Sequence, residues 1–163
     1  MLDDAEPFDG VRREFAVSTV GRGIPFHVTL LWPFVSRKEL TDAVIADTRS
    51  LFAAQRPFEF ALTRLATWPA VVYAVPEPDA KLRECMEALH ARFPDWPPYG
   101  GIHADVVPHE TLGEDVNAVR AFPEIQRRLE GHLPLHCRAD AATLLEEFAP
   151  DQWRERERLL FGR

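Results

Sequence analysis

The string His27-Val28-Thr29-Leu30 returns as His109-Glu110-Thr111-Leu112, so H-x-T-L occurs twice in a chain of 163 residues. From six His, eight Thr and 17 Leu, chance produces one such string about 0.03 times and two about once in 2,000 shuffled sequences. The recurrence constrains the fold, because residues i and i+2 of an extended strand point to the same face. Each motif on a strand then projects an imidazole and a hydroxyl together, with Val28, Leu30 and Leu112 turned the other way. Two such strands side by side would present two imidazoles across one cleft.

That arrangement suits a phosphoester. One neutral His takes a proton from water as general base while the other, as imidazolium, protonates the departing oxygen; ordinary values near 6.5 make both forms available at neutral pH. Thr29 and Thr111 would donate hydrogen bonds to the non-bridging phosphoryl oxygens as charge builds there. The scheme calls for no metal and no cofactor. A plainer reading, in which each His is a satisfied core or surface residue, suits either motif alone better than it suits the pair. A zinc site of His27, His109 and His103 finds no support from the cysteines or from HExxH-like spacing. His90, His103, His132 and His136 lack comparable company and are expected to face solvent.

The length suits a single domain spanning residues 1–163, able to bury roughly 70% of its unfolded surface. A formal charge of −7, from 26 Asp+Glu against 19 Lys+Arg, works against gripping a long nucleic-acid tract. Hydrophobic residues make up 46% and charged residues 28%, which excludes intrinsic disorder. No apolar run approaches the roughly 18 residues of a membrane span. The start, MLDDAEPFDG, has no basic segment leading into an apolar one, so a cytoplasmic protein is expected. Cys85 and Cys137 lack CxxC spacing and read as two small core thiols.

Hydrophobic periodicity orders the elements. Residues 1–25 suit a short helix and a ragged strand equally. A buried strand is expected over about 26–32, closed by Pro33, and a helix from a capping box at Ser36 and Glu39 to about Ala54. Strands follow at 57–65 and 71–75, then a helix over 79–92 burying Leu82, Cys85, Met86 and Leu89. Residues 94–104 read as loop. DVVPHETLG from Asp105 reads as a short strand. Val116, Val119, Ile125 and Leu129 mark a helix interrupted at Pro123, and a strand runs from Leu133 to about Glu146. After a turn at Pro150 and Asp151, the segment from Gln152 fits an exposed helix or a strand.

The two motifs, together with Gly23-Ile24-Pro25 leading into FHVTLLWPF, the VVYAV strand, FPDWPPYGG at 93–101 and DVVPHETLG, resemble the two-histidine phosphoesterase superfamily and its 2′-5′ RNA ligase and RNA cyclic phosphodiesterase branch. The resemblance covers roughly residues 12–163. It implies an α+β fold of two pseudo-symmetric lobes, each an antiparallel sheet backed by helices, with the active-site cleft between them. The lobes are expected at about 12–77 and 78–163, with strand exchange between them, and the resemblance tips the C-terminal segment towards a strand containing Trp153. It further implies hydrolysis of 2′,3′-cyclic phosphates, or opening and resealing of 2′-5′ linkages, with His27, Thr29, His109 and Thr111 catalytic.

Three features depart from that pattern. Only about ten acidic, broken residues precede Arg12 where relatives carry a full strand, so one sheet is expected to lack an edge strand. Glu110 stands where relatives usually carry an apolar residue, so the back of its strand must be wet or paired with a cation. No motif supplies the phosphate-holding cation; Arg12, where relatives often have an arginine, and Tyr99, in a loop suited to base stacking, are the substrate-binding candidates, though each reads more readily as a solvated charge or a loop-packing aromatic. The partner expected is a small phosphodiester or RNA terminus, on a monomer or weak dimer. A non-catalytic module gripping a phosphorylated ligand or RNA end, or a protein-interaction domain, is the alternative.

Overall fold

The computed structural model describes residues 5–103 and 105–162; the opening residues of the acidic start, and Ala104 of the expected loop, lie outside them. In chain order the elements are α1 (Glu6–Phe15), α2 (Val17–Gly21), α3 (Asp42–Ala53), β1 (Phe58–Trp68), β2 (Val71–Glu77), α4 (Ala80–Arg92), β3 (Glu110–Glu114), α5 (Ala118–Arg128), β4 (Leu135–Ala139), β5 (Ala141–Ala149) and β6 (Gln152–Leu160). The strands form a sheet of order β3-β2-β1-β4 and a two-stranded sheet β5-β6. Pairing is antiparallel between β1 and β2, β2 and β3, and β5 and β6. The fold is α+β.

The chain divides into two compact units, each drawn from three segments; the expectation was of lobes at about 12–77 and 78–163 with strand exchange between them. The first comprises the chain up to Val28, then Phe60–Glu77 and His109–Cys137; the second comprises Thr29–Glu59, Pro78–Pro108 and the chain from Arg138. The division falls inside the first H-x-T-L motif, leaving His27 in the first unit and Thr29 in the second.

The first unit is built on the four-stranded sheet, with α1 and α5 packed on it. Its core joins Phe8 and Val11 to Val72, Ala74 and Leu112, with Ile125 and Leu129 from α5 and the turn after it. Helix α1 suits its place: Pro7 lies in the first turn, Glu6 and Asp9 stand at the positive end of the dipole, and Arg12 and Arg13 at the negative end. Its buried side chains are Phe8, Val11 and Arg12, so the helical period turns a charged residue inward. Gly113 admits this packing, since a Cβ there would lie 3.3 Å from the Phe15 Cβ.

In the second unit, α3 packs on β6 and on α4. Its core unites Ile45 and Phe52, Cys85 and Leu89, and Leu144, Leu159 and Phe161. Phe52 stacks on Phe161 at 5.6 Å between ring centres. The α4 residues buried are the four expected, Leu82, Cys85, Met86 and Leu89.

Several sequence expectations are corrected. Residues 26–32 are not a strand; the bonds that anchor the start of this segment come from side chains of α1 and β3 in place of a ladder. Ser36 and Glu39 do exchange bonds, the Ser36 N–H donating to Glu39 Oε2 at 3.1 Å. They close only a turn, and the helix begins at Asp42 with Thr41 as its cap. The strand expected from Asp105 is formed from Glu110, and the long strand expected after Leu133 is two, β4 and β5, parted at Asp140. Residues 6–15, which sequence alone left between helix and strand, are helical.

Helix α5 runs through Pro123 without interruption. The carbonyl four residues before that proline belongs to Val119, on the solvent side of the helix. Val119, expected inside, is 86% exposed, and Ala118, Ala121, Ile125 and Leu129 form the buried stripe. The expectation had skipped the alanines, whose small side chains let α5 lie close to the sheet. Accordingly, Val119→Lys should change stability by no more than about 0.5 kcal/mol, whereas Ile125→Ala should cost about 2–5 kcal/mol, both read by urea denaturation; equal losses would place the helix in the wrong rotation.

Candidate active site

Strand β3 separates two kinds of side chain. Thr111 is paired with Tyr73 and Glu110 with Ala74 across the β2–β3 ladder. Alternation puts Thr111 and Tyr73 on one face, and Glu110, Leu112, Val72 and Ala74 on the other. The second face is the core of the first unit: Val72, Ala74 and Leu112 are fully buried and Glu110 is 1% exposed. His109, immediately before β3, meets two aromatic rings of the first face. Trp68 lies edge-on to its imidazole at 4.7 Å, and Tyr73 at 5.5 Å. Trp68 and Tyr73 stack on each other at 4.2 Å. His109 therefore sits against an aromatic wall that limits its ring orientation.

His27 is held differently. Its backbone N–H donates to Glu110 Oε2 at 2.6 Å, and its Nδ1 lies 2.7 Å from the Pro25 carbonyl oxygen. A carbonyl only accepts, so Nδ1 carries the hydrogen and the neutral ring keeps its basic lone pair on Nε2. Burial pushes the His27 pKa below the ordinary value; the Pro25 carbonyl acts against this, and the charges of Arg12 and His109 act with it. The mutual repulsion with His109 brings the imidazoles of both motifs into one electrostatic neighbourhood in the first unit.

Arg12 is not a solvated charge, nor is it presented as a phosphate-holding cation: its side chain is 2% exposed. Nη2 donates to the carbonyls of Ile24 at 3.1 Å and Pro25 at 2.9 Å, and Nη1 donates to Asp9 at 3.3 Å. The Arg12 Nε lies 3.4 Å from Glu110 Oε1. That is an ion-pair distance without hydrogen-bond geometry, so these two atoms remain buried and unbonded. The guanidinium carbon also lies 5.8 Å from the centre of the Phe26 ring. Burial pushes the Glu110 carboxyl well above its usual range, opposed by Arg12 and the His27 N–H. The cation that Glu110 required from the sequence is thus Arg12.

Thr29 and Tyr99 belong to the second unit and meet there: the Thr29 hydroxyl hydrogen-bonds the Tyr99 phenol, whose pKa burial raises. Tyr99 has a positive φ of 50°, and its N–H donates to the Trp32 carbonyl at 2.6 Å. Its ring lies edge-on to His103 at 5.5 Å. Among the described residues no group of three or more His, Cys, Asp or Glu side chains is arranged to hold a metal ion. No helix among them is long and apolar enough to cross a membrane.

Sequence reasoning overlooked Trp68 and Tyr73, which sit in a hairpin read only as strand and turn. It also missed the inward face of Arg12, although Phe8, Val11 and Phe15 at helical spacing enclose that position.

An α+β protein with paired H-x-T motifs, both histidines in the unit that carries the four-stranded sheet, defines the class. The sequence model of the 2′-5′ RNA ligase superfamily matches residues 3–148, and the chain belongs to that superfamily. Membership supports a phosphoesterase or RNA ligase-like activity. A search of curated proteins finds no match. Among solved structures, TT0787 of Thermus thermophilus is similar in fold, with a TM-score of 0.58 and 20% identity over 97% of this chain and 93% of that one.

The lowered His27 pKa carries a sign. The unfolded chain binds a proton to His27 near the ordinary 6.5, and the folded chain binds it only at lower pH, so stability falls as pH drops from 6.5 through the lowered value. Proton–nitrogen NMR titration should give His27 a midpoint below 6.5. The native protein should then lose more stability than His27→Gln between pH 7 and 5. Parallel stability curves would contradict the assignment.

Proposed function

We propose that the protein is a metal-independent phosphodiesterase acting on a 2′,3′-cyclic phosphate or a similarly small RNA-derived phosphodiester. The observation carrying this reading is that both motif histidines lie in the first unit, with the His27 ring fixed by Pro25 so that Nε2 is its basic nitrogen. Burial keeps His27 neutral at neutral pH, which suits the base; His109, against the Trp68 and Tyr73 rings, takes the part of the acid.

In the reaction, His27 Nε2 removes a proton from water as the water oxygen bonds to phosphorus. The bond from phosphorus to one ribose oxygen breaks, and that oxygen receives the proton of the His109 imidazolium. Thr111, on the same strand face as the Tyr73 side chain, donates to a non-bridging oxygen as negative charge grows. Thr29 enters the proposal from its motif alone, as the second hydroxyl donor. Tyr99 enters as a base-stacking residue only from its loop position. With the 5′-hydroxyl of a second RNA end in place of water, the same proton transfers would open the cyclic phosphate at its 3′ oxygen, which takes the His109 proton, and leave a 2′-5′ linkage. The thiols of Cys85 and Cys137, both free, accord with a reducing cytoplasm.

Hydrolysis of 2′,3′-cyclic nucleotides in the presence of a chelator is the direct test. His27→Ala and His109→Ala should each lower kcat by about 10²–10⁴-fold. The pH–rate curve should be bell-shaped with macroscopic values belonging to the pair. Activity that survives either substitution, or that disappears with the chelator alone, would refute the mechanism.

A further inference from the structure

Resting on the reading of His27 as the general base, we infer that Arg12 and Glu110 form a buried clamp that sets both the backbone position and the ring tautomer of His27. They are positioning residues, since neither meets the reacting atoms in that scheme.

Two separate lines of contact converge on the one histidine. Glu110 Oε2 accepts the His27 backbone N–H at 2.6 Å, which fixes where the residue begins. The Pro25 carbonyl accepts both Arg12 Nη2 at 2.9 Å and His27 Nδ1 at 2.7 Å. By gripping this oxygen, Arg12 holds the acceptor that keeps the proton on Nδ1. The second Arg12 bond, to the Ile24 carbonyl at 3.1 Å, prevents the peptide from swinging. Both side chains are almost wholly buried, so water does not compete for the Glu110 carboxyl.

The same carboxylate lies between His109 and Thr111 in sequence. Its reach from β3 to the His27 N–H ties the second motif to the histidine of the first within one unit. An apolar residue at position 110 would pack against the core equally well, but would offer nothing to that N–H. A structural ion pair would have no need to engage the backbone two and three residues before His27 and the His27 amide itself.

Long-range proton–nitrogen NMR on the imidazole, without substrate, tests the clamp. In the native protein His27 should be held as the Nδ1–H tautomer; an Nε2–H tautomer there overturns the clamp. Glu110→Gln and Arg12→Lys should shift the ring towards a mixture and lower kcat by about 10–100-fold, with KM within about threefold. Arg12→Met combined with Glu110→Leu removes both charges together, a replacement that buried ion pairs often tolerate. This double variant should keep its fold yet show the same tautomer shift and loss of kcat. Native values of either readout in a folded variant would overturn the clamp. If the native protein fails to hydrolyse cyclic nucleotides, the phosphodiesterase reading falls and the tautomer alone decides the clamp.

Discussion

A guanidinium and a carboxyl group shut away from water, those of Arg12 and Glu110, are the interaction on which the first unit depends. Taking such groups out of water costs several kcal/mol each, and their attraction offsets this only when the remaining donors and acceptors are bonded. Here Arg12 bonds two main-chain carbonyls and Asp9 and Glu110 bonds the His27 amide, while Arg12 Nε and Glu110 Oε1 face each other without a hydrogen bond. Breaking one side of a buried pair typically costs about 3–5 kcal/mol, a large share of the stability of a small domain. The pair thus locks α1, the segment from Ile24 to His27 and β3 into one arrangement.

The five residues of β3 serve both sides of the sheet. Leu112 joins the core with Ile125 and Val72, and Glu110 lies on the same inner face to meet Arg12. Thr111 turns outward beside Tyr73, whose ring, with that of Trp68, borders His109. A shift of register by one residue would exchange these sets, burying Thr111 and exposing Leu112. The core therefore specifies which side chains reach the open face, and the proposed chemistry uses residues whose placement hydrophobic packing has already decided.

This division explains what was legible from sequence. The α4 stripe is carried by local apolar periodicity, and the structure reproduces it. The doubled motif singled out His27 and His109, yet the segment around His27 misled: its β-branched and aromatic residues suit a strand. What governs its backbone is a pair of side chains 12 and 83 residues away in sequence. No local pattern reports such bonds. Arg12 was misread for a related reason, since its chemistry suggests a ligand while its position on the α1 face with Phe8 and Val11 dictates burial. Tyr73 could not be paired with Thr111 until the register of β2 and β3 was known.

The inward turn of Arg12 also changes how a chain of net charge −7 would meet a phosphate. The arginine that most resembled a substrate-binding residue has its charge engaged inside the first unit, where it lowers the His27 pKa instead of attracting an anion. In the proposed site, attraction for the phosphate therefore falls to the His109 imidazolium and the threonine hydroxyl donors. Such groups act over hydrogen-bond distances and neutralise few phosphates, whereas long nucleic-acid tracts are held by many cations releasing many counterions. On the proposed reading, an acidic protein with this arrangement would hold one reacting phosphate, and its discrimination would come from the shape and hydrogen bonding of the group that carries it.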